Sequence, residues 1–440
     1  MECDSGVEID MGTASPPSPW PDKGPSMQRL LAIVLLLTAR PASPLPAQDF
    51  AGVWQGRATS GSRMILKIER VGKDRWSAVA HAIDKEPDGS DGSVVVNGSA
   101  ITIVFFTATY VGNLSADGAS ITGAWIDRYG QPGRDPEDFQ RATKATEWPL
   151  DVASHTVRFV TVDTNVTLEV LDWGGTGRPL VLLSGGGNSA HRYDRFAPKL
   201  TAAYHVYGIT RRGLGASSVP PFTSGNYLAD RLGKDVLAVM DSLKLQRPVL
   251  VGHSFAGAEL SSACSQHPER VGGLIYLDAA YSYAYYDTSR GDLLIDVNDL
   301  QRTLDQLGLQ IGPREEKRLT DELLATRLPL VERDLQRLRK ELHASPDTTW
   351  PRTYEYPAEM HAFHTGAQKY TNLRCPALAF YAVPHDSADA ADMQAQATAF
   401  ARGVPGARVV RLTNATHWVW ESNEADVLRE MTAFVGRLRD

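Results

Sequence analysis

The chain has 440 residues, 42% of them hydrophobic and 22% charged, and a formal net charge of −7. That length admits two or three domains with sizeable cores, and the composition excludes disorder over the bulk of the chain. The mild acidity argues against a nucleic-acid partner, which would want a basic face.

Residues 1–26 are rich in Pro, Ser, Gly and Asp and show no apolar period. Met27-Gln28-Arg29 then precedes the apolar run Leu30 to Leu37, and small residues and prolines lead to Ala47. A basic start, a short apolar run and a small-residue end predict a secretory signal peptide, with translation starting at Met27, cleavage after Ala47 and an exported mature protein. The run is too short to span a bilayer, so no integral membrane span is expected in the mature chain. Of three cysteines, Cys3 lies in this leader; Cys264 and Cys375 either pair or sit as buried apolar thiols.

Residues 48–145 read as a small antiparallel β domain, a sandwich or barrel. Alternating stretches (52–56, 64–68, 76–82, 93–96, 101–106, 121–127) are punctuated by the turn-type dipeptides Asp88-Gly89, Asp91-Gly92, Asn97-Gly98 and Asp117-Gly118. Residues 146–155 form a linker. From 156 to 440, strands alternate with helices, the pattern of a parallel sheet covered on both faces. Strands are predicted at 166–171, 179–183, 205–209, 248–251, 273–277, 377–382 and 408–412, and helices at 226–243, 256–266 and 424–438. The stretch 281–370 breaks this rhythm with charged helical pieces at 315–325 and 330–343, and reads as a helical insertion, a lid.

Gly252-His253-Ser254-Phe255-Ala256-Gly257 follows an apolar strand and opens a helix. This is the context of a nucleophile elbow, where small residues two before and two after the serine let the backbone reverse closely. Ala256 stands where that pattern carries its second glycine. Ser184-Gly185-Gly186-Gly187-Asn188, after another strand, can aim backbone N–H groups at a developing oxyanion; Gly186 and Phe255 are the expected donors. Its other reading is a plain βα turn. A serine hydroxyl needs a base to take its proton, and His417, past the last strand, is the candidate. Asp386 follows the strand before it, giving the order Ser254, Asp386, His417; Asp278, after 273–277, is the alternative acid. His361 and His364 lack a third ligand nearby, so no metal is expected.

With Arg211-Arg212-Gly213-Leu214-Gly215-Ala216-Ser217, these motifs make residues 156–440 resemble the α/β-hydrolase superfamily, in its lid-bearing branch of serine esterases and proline iminopeptidases. The resemblance implies a mostly parallel eight-stranded sheet, no cofactor and a small-molecule ester as substrate. Ser184-Gly185 departs from the His-Gly frequent in that family, leaving the identity of the oxyanion donor open. Amide cleavage is the alternative activity and would need an acidic anchor, Glu355 or Glu359; a non-catalytic small-ligand binder is the third reading. Tyr281 to Tyr286, Trp350, Tyr354, Tyr356 and Phe363 either line an apolar substrate pocket or pack the insertion onto the core.

Overall fold

The computed structural model describes residues 49–57, 63–73, 75–82, 86–105, 108–127, 138–148, 155–309, 311–344, 358–383 and 387–438. The expected leader, most of the linker, Trp350, Tyr354, Glu355, Tyr356, His385 and Asp386 lie outside the described residues.

Eight antiparallel strands close into a barrel: β1 (Gly52–Arg57), β2 (Arg63–Arg70), β3 (Trp76–Ala82), β4 (Glu86–Asn97), β5 (Ala100–Phe105), β6 (Ala108–Leu114), β7 (Ser120–Asp127) and β8 (Asp138–Arg141). Closure runs through β1 and β8, with Trp54 opposite Arg141. Period-2 alternation turns Trp54, Leu66, Ile68, Ile101, Ile103, Tyr110, Ile121 and Phe139 into one buried core. Asn97-Gly98 and Asp117-Gly118 do make turns, with Gly98 and Gly118 at positive φ. Asp88-Gly89 and Asp91-Gly92 do not; both lie within β4. Gly92 serves packing there, because a Cβ on it would stand 2.4 Å from Ile103 Cγ2. Asp91 is buried and finds its partner outside the barrel.

The second layer system is an eight-stranded sheet in the order β16-β15-β14-β13-β11-β12-β10-β9. Its strands are β9 (Thr156–Asp163), β10 (Val166–Gly174), β11 (Pro179–Leu183), β12 (His205–Ile209), β13 (Val249–His253), β14 (Gly273–Leu277), β15 (Ala377–Val383) and β16 (Arg408–Thr413). The run from β12 to β16 is parallel, while β9 and β10 are antiparallel additions at one edge. Seven of these strands match sequence expectations within three residues; β9 was missed because its burial pattern is mostly exposed and gives no apolar run. The central strands are apolar on both faces because helices cover both. The helices of eight residues or more among the described residues are α1 (Ala229–Ser242), α2 (Ala256–Gln266), α3 (Leu293–Leu307), α4 (Pro313–Glu322), α5 (Leu328–Ala344), α6 (Ala358–Thr365), α7 (Ser387–Gly403) and α8 (Glu424–Val435). Two apolar cores result, one on each side of the sheet.

Helices α3 to α6 stand between β14 and β15 and account for the break in rhythm. A disulfide joins Cys264 of α2 to Cys375 ahead of β15, a sequence separation of 111. Closing a loop of about that length removes on the order of 4–5 kcal/mol of chain entropy from the unfolded state. Among the described residues, no helix is long and apolar enough to cross a membrane.

Candidate active site

Ser254 lies at φ +50, a left-handed conformation that a non-glycine residue adopts only where the surroundings hold it. The surroundings are tight. A Cβ on Gly252 would come within 2.7 Å of Leu260 and 3.1 Å of Ala256, and one on Gly257 within 2.0 Å of the Ala279 carbonyl. Strand β13 thus turns into α2 at the serine, and α2 presses against the segment that follows β14. Ala256 is fully buried and serves where a glycine was the other option.

The imidazole of His417 donates from Nδ1 to Asp278 Oδ2 at 2.6 Å, which leaves Nε2 as the basic nitrogen. Asp278 is buried, and its other oxygen accepts from the Ala382 N–H at 2.9 Å. A carboxylate so held fixes both the ring tautomer and its orientation. The acid brought to His417 is therefore Asp278, the alternative, while Asp386 falls outside the described residues. Both aspartates satisfy the same chain order, so only the tertiary contact distinguishes them.

His253 carries a role that the sequence left unassigned. Its Nε2 donates to the His417 carbonyl at 3.1 Å, and its ring sits 4.4 Å from the His417 ring. Burial, then the neighbouring His417, Arg192 and Arg211, hold the His253 imidazole well below the usual histidine range, so it is neutral. It braces the backbone of the loop that carries His417.

The glycine loop after β11 lies against the elbow. A Cβ on Gly185 would meet Ser254 Cβ at 2.9 Å, and one on Gly186 would meet Phe255 Cδ2 at 3.3 Å. Buried Arg211, paired with Glu259 of α2, donates to the carbonyls of Ser184 at 2.9 Å and Gly185 at 3.4 Å. In a trans peptide the C=O and the following N–H point opposite ways. Pinning these two carbonyls to Arg211 turns the N–H groups of Gly185 and Gly186 away from it. The loop stiffens itself further, since Asn188 Nδ2 donates to the Gly186 carbonyl at 2.9 Å and Ser184 Oγ to the Ser189 carbonyl.

Two of the expected aromatic residues face this region. Tyr283 stacks on Phe255 at 5.1 Å, while Phe363 covers the Arg211 guanidinium at 4.9 Å. Tyr285 and Tyr286 turn elsewhere, to Phe400 and to Asp296. His364 caps its own helix through the Met360 carbonyl at 2.7 Å.

Among the described residues, His155, His191 and Asp194 bring potential metal-ligand atoms within 4.8 Å of one another. Each histidine Nδ1 is already at an Asp194 oxygen, at 3.0 and 3.1 Å, and Trp173 Nε1 donates to the same carboxylate at 3.0 Å. The group therefore forms an internally paired network at the seam with the barrel.

The pattern that describes the alpha/beta hydrolase family matches residues 180–430, more than half of the chain. Epoxide hydrolase A of Mycobacterium tuberculosis is 34% identical over 119 residues, 26% of this chain and 37% of that protein. Fluoroacetate dehalogenase of a Burkholderia species is 33% identical over 116 residues, 26% and 38%. The chain thus spans well under half the length of these two relatives. A 2-hydroxy-6-oxononadienedioate/2-hydroxy-6-oxononatrienedioate hydrolase of Cupriavidus pinatubonensis is 29% identical over 209 residues, 43% and 71%. A thermophilic esterase from Thermogutta terrifontis is similar in structure at 17% identity, over 64% of this chain and 99% of that one, with a TM-score of 0.41.

Proposed function

The chain belongs to the alpha/beta hydrolase family, and from that premise we propose that it is a serine hydrolase that cleaves carboxylic esters of small or medium apolar substrates. The observation that carries this reading is the Asp278–His417 hydrogen bond, with the His417 ring packed 4.4 Å from that of His253, the residue before a serine at a left-handed elbow. His417 Nε2 takes the Ser254 proton and the hydroxyl oxygen attacks the ester carbonyl. The N–H groups of Gly186 and Phe255 receive the oxyanion as it forms. The alcohol leaves with the proton from His417, and water, deprotonated by the same nitrogen, releases the acid.

Serine at the elbow also bears on the relatives. A hydroxyl that opened an epoxide or displaced a halide would leave an alkyl ether, which has no carbonyl for water to attack. Acyl transfer suffers no such dead end. Helices α3 to α6 act as the lid in this reading, with Tyr283 and Phe363 at the apolar wall. The apolar run Leu30 to Leu37 and the Cys264–Cys375 bond support an exported protein.

A fluorophosphonate probe should label Ser254, and Ser254→Ala should lose labelling and on the order of 10⁴-fold or more in kcat on nitrophenyl esters at unchanged Tm. Unchanged ester turnover in that variant ends the assignment. Faster turnover of aminoacyl anilides than of esters moves the activity to amides; both Glu355 and the Glu359 side chain, which would anchor the amine, lie outside the described residues. Absence of labelling in the native chain favours a binding role.

A further inference from the structure

The barrel reaches the loop that faces the nucleophile through one buried carboxylate. Asp91 of β4 accepts from the Ser189 N–H at 2.6 Å, 98 residues away in sequence. The same residue's carbonyl accepts from Ser184 Oγ. Ser189 is thus held at one end by the barrel and at the other by the residue that begins the Ser184 to Asn188 turn. The next N–H, of Ala190, is held by Thr210 Oγ1 at 3.1 Å, and Thr210 in turn donates to Glu169 at 2.7 Å. A second tie runs from Arg75, beside β3, to the carbonyls of Ala216 and Ser217 at 3.3 and 3.0 Å. Arg211, at the start of that second loop, carries the carbonyls of Ser184 and Gly185.

These ties are discrete contacts. Beside them, a cavity of about 570 Å³ lies between barrel and sheet, lined by Asp91, Glu169, His191 and Asp194 among others. Broad apolar packing would hold the two units together with no buried carboxylate at all. Burying Asp91 is costly: desolvation pushes its carboxyl up to about 6, against the pull of His191 and Ser189. A charge-assisted hydrogen bond to a backbone N–H is short and strong, and so fixes where that peptide sits.

We propose that Asp91 is a positioning residue through which the N-terminal barrel sets the register of the oxyanion loop, by way of Ser189 and Ser184. The proposal rests on the reading of residues 184–189 as that loop. It gives the barrel a part in the reaction without any contact with substrate. Loop N–H groups stabilise an oxyanion only when placed to a fraction of an ångström, and a misplacement of about 1 Å costs on the order of 100-fold in rate.

The test compares Asp91→Ala, Asp91→Asn, Ser184→Ala and the Asp91→Ala/Ser184→Ala double variant on a short nitrophenyl ester, with Tm measured for each and Ser254→Ala as reference. Asp91→Ala should lower kcat about 10- to 100-fold with KM within about twofold. Asp91→Asn keeps an acceptor oxygen at the same reach and should recover kcat to within about threefold of the native chain. The double variant should lose little more than the worse single one, because both changes break one chain of contacts. Native kcat in Asp91→Ala overturns the proposal. So does a double variant whose losses multiply, or an Asn variant as impaired in kcat as the Ala variant. Failure of the underlying reading shows separately, as turnover that survives in Ser254→Ala.

Discussion

The barrel and the α/β sheet bury polar groups in different ways. The barrel interior is apolar and aromatic, closed by Trp54, Tyr110, Trp125 and Phe139, and the buried acid of its strands, Asp91, points to the other unit. The sheet region buries two ion pairs, Arg211 with Glu259 and Arg212 with Asp235, and a carboxylate, Asp278, that holds the half-exposed His417 ring. Burying charge is costly unless geometry repays it, so buried pairs gather where position matters more than stability.

The largest effect that separates the two belongs to Asp278. Asp278→Asn should reduce kcat on an ester about 10³- to 10⁴-fold, through loss of the correct His417 tautomer, with Tm nearly unchanged; Asp386→Asn should stay within about threefold. Kinetics and calorimetry on both variants read this directly, and a large loss at Asp386 would return the acid to that position. In the barrel the balance should reverse. Trp54 is fully buried, donates from Nε1 to the Phe50 carbonyl at 2.9 Å and lies under the Arg141 guanidinium at 4.1 Å. Trp54→Ala should cost about 3–5 kcal/mol in denaturant unfolding, while kcat of the folded fraction falls no further than in Asp91→Ala. A greater kcat loss would mean that the barrel acts on the site by more than its carboxylate.

The smallest effect concerns pH. His253 is buried and neutral, its folded pKa held well below the usual histidine range by desolvation. Below about pH 6.5 the unfolded chain takes up a proton that the folded chain refuses, so stability present at neutral pH is lost on acidification. His253→Gln keeps an N–H for the His417 carbonyl and has no such proton. The difference in unfolding free energy between native and variant chains should shrink as pH falls from about 7.5 to 5.5, by at most about 1.4 kcal/mol per pH unit. A constant difference would place a proton on native His253.

Much of this architecture was legible beforehand because local pattern and tertiary demand agree. Seven strands of the sheet are apolar runs with turn residues at their ends, and the elbow is written in small residues around Ser254. The glycine loop after β11 was visible for the same reason. Strand β4 was misread in part, since Glu-Pro-Asp-Gly-Ser-Asp-Gly has the composition of turns and only pairing with β3 and β5 makes it a strand.

Sequence alone determined the elements that depend on near neighbours: strand periodicity, the steric need for small residues at the elbow, and the residue types able to attack and to take a proton. Tertiary structure decided which partners meet. Asp278 stands 139 residues from His417, Cys264 stands 111 from Cys375, and Asp91 stands 98 from Ser189. No local period encodes such separations. The parallel crossovers and barrel closure bring these groups together, and short-range preferences carry no information about that.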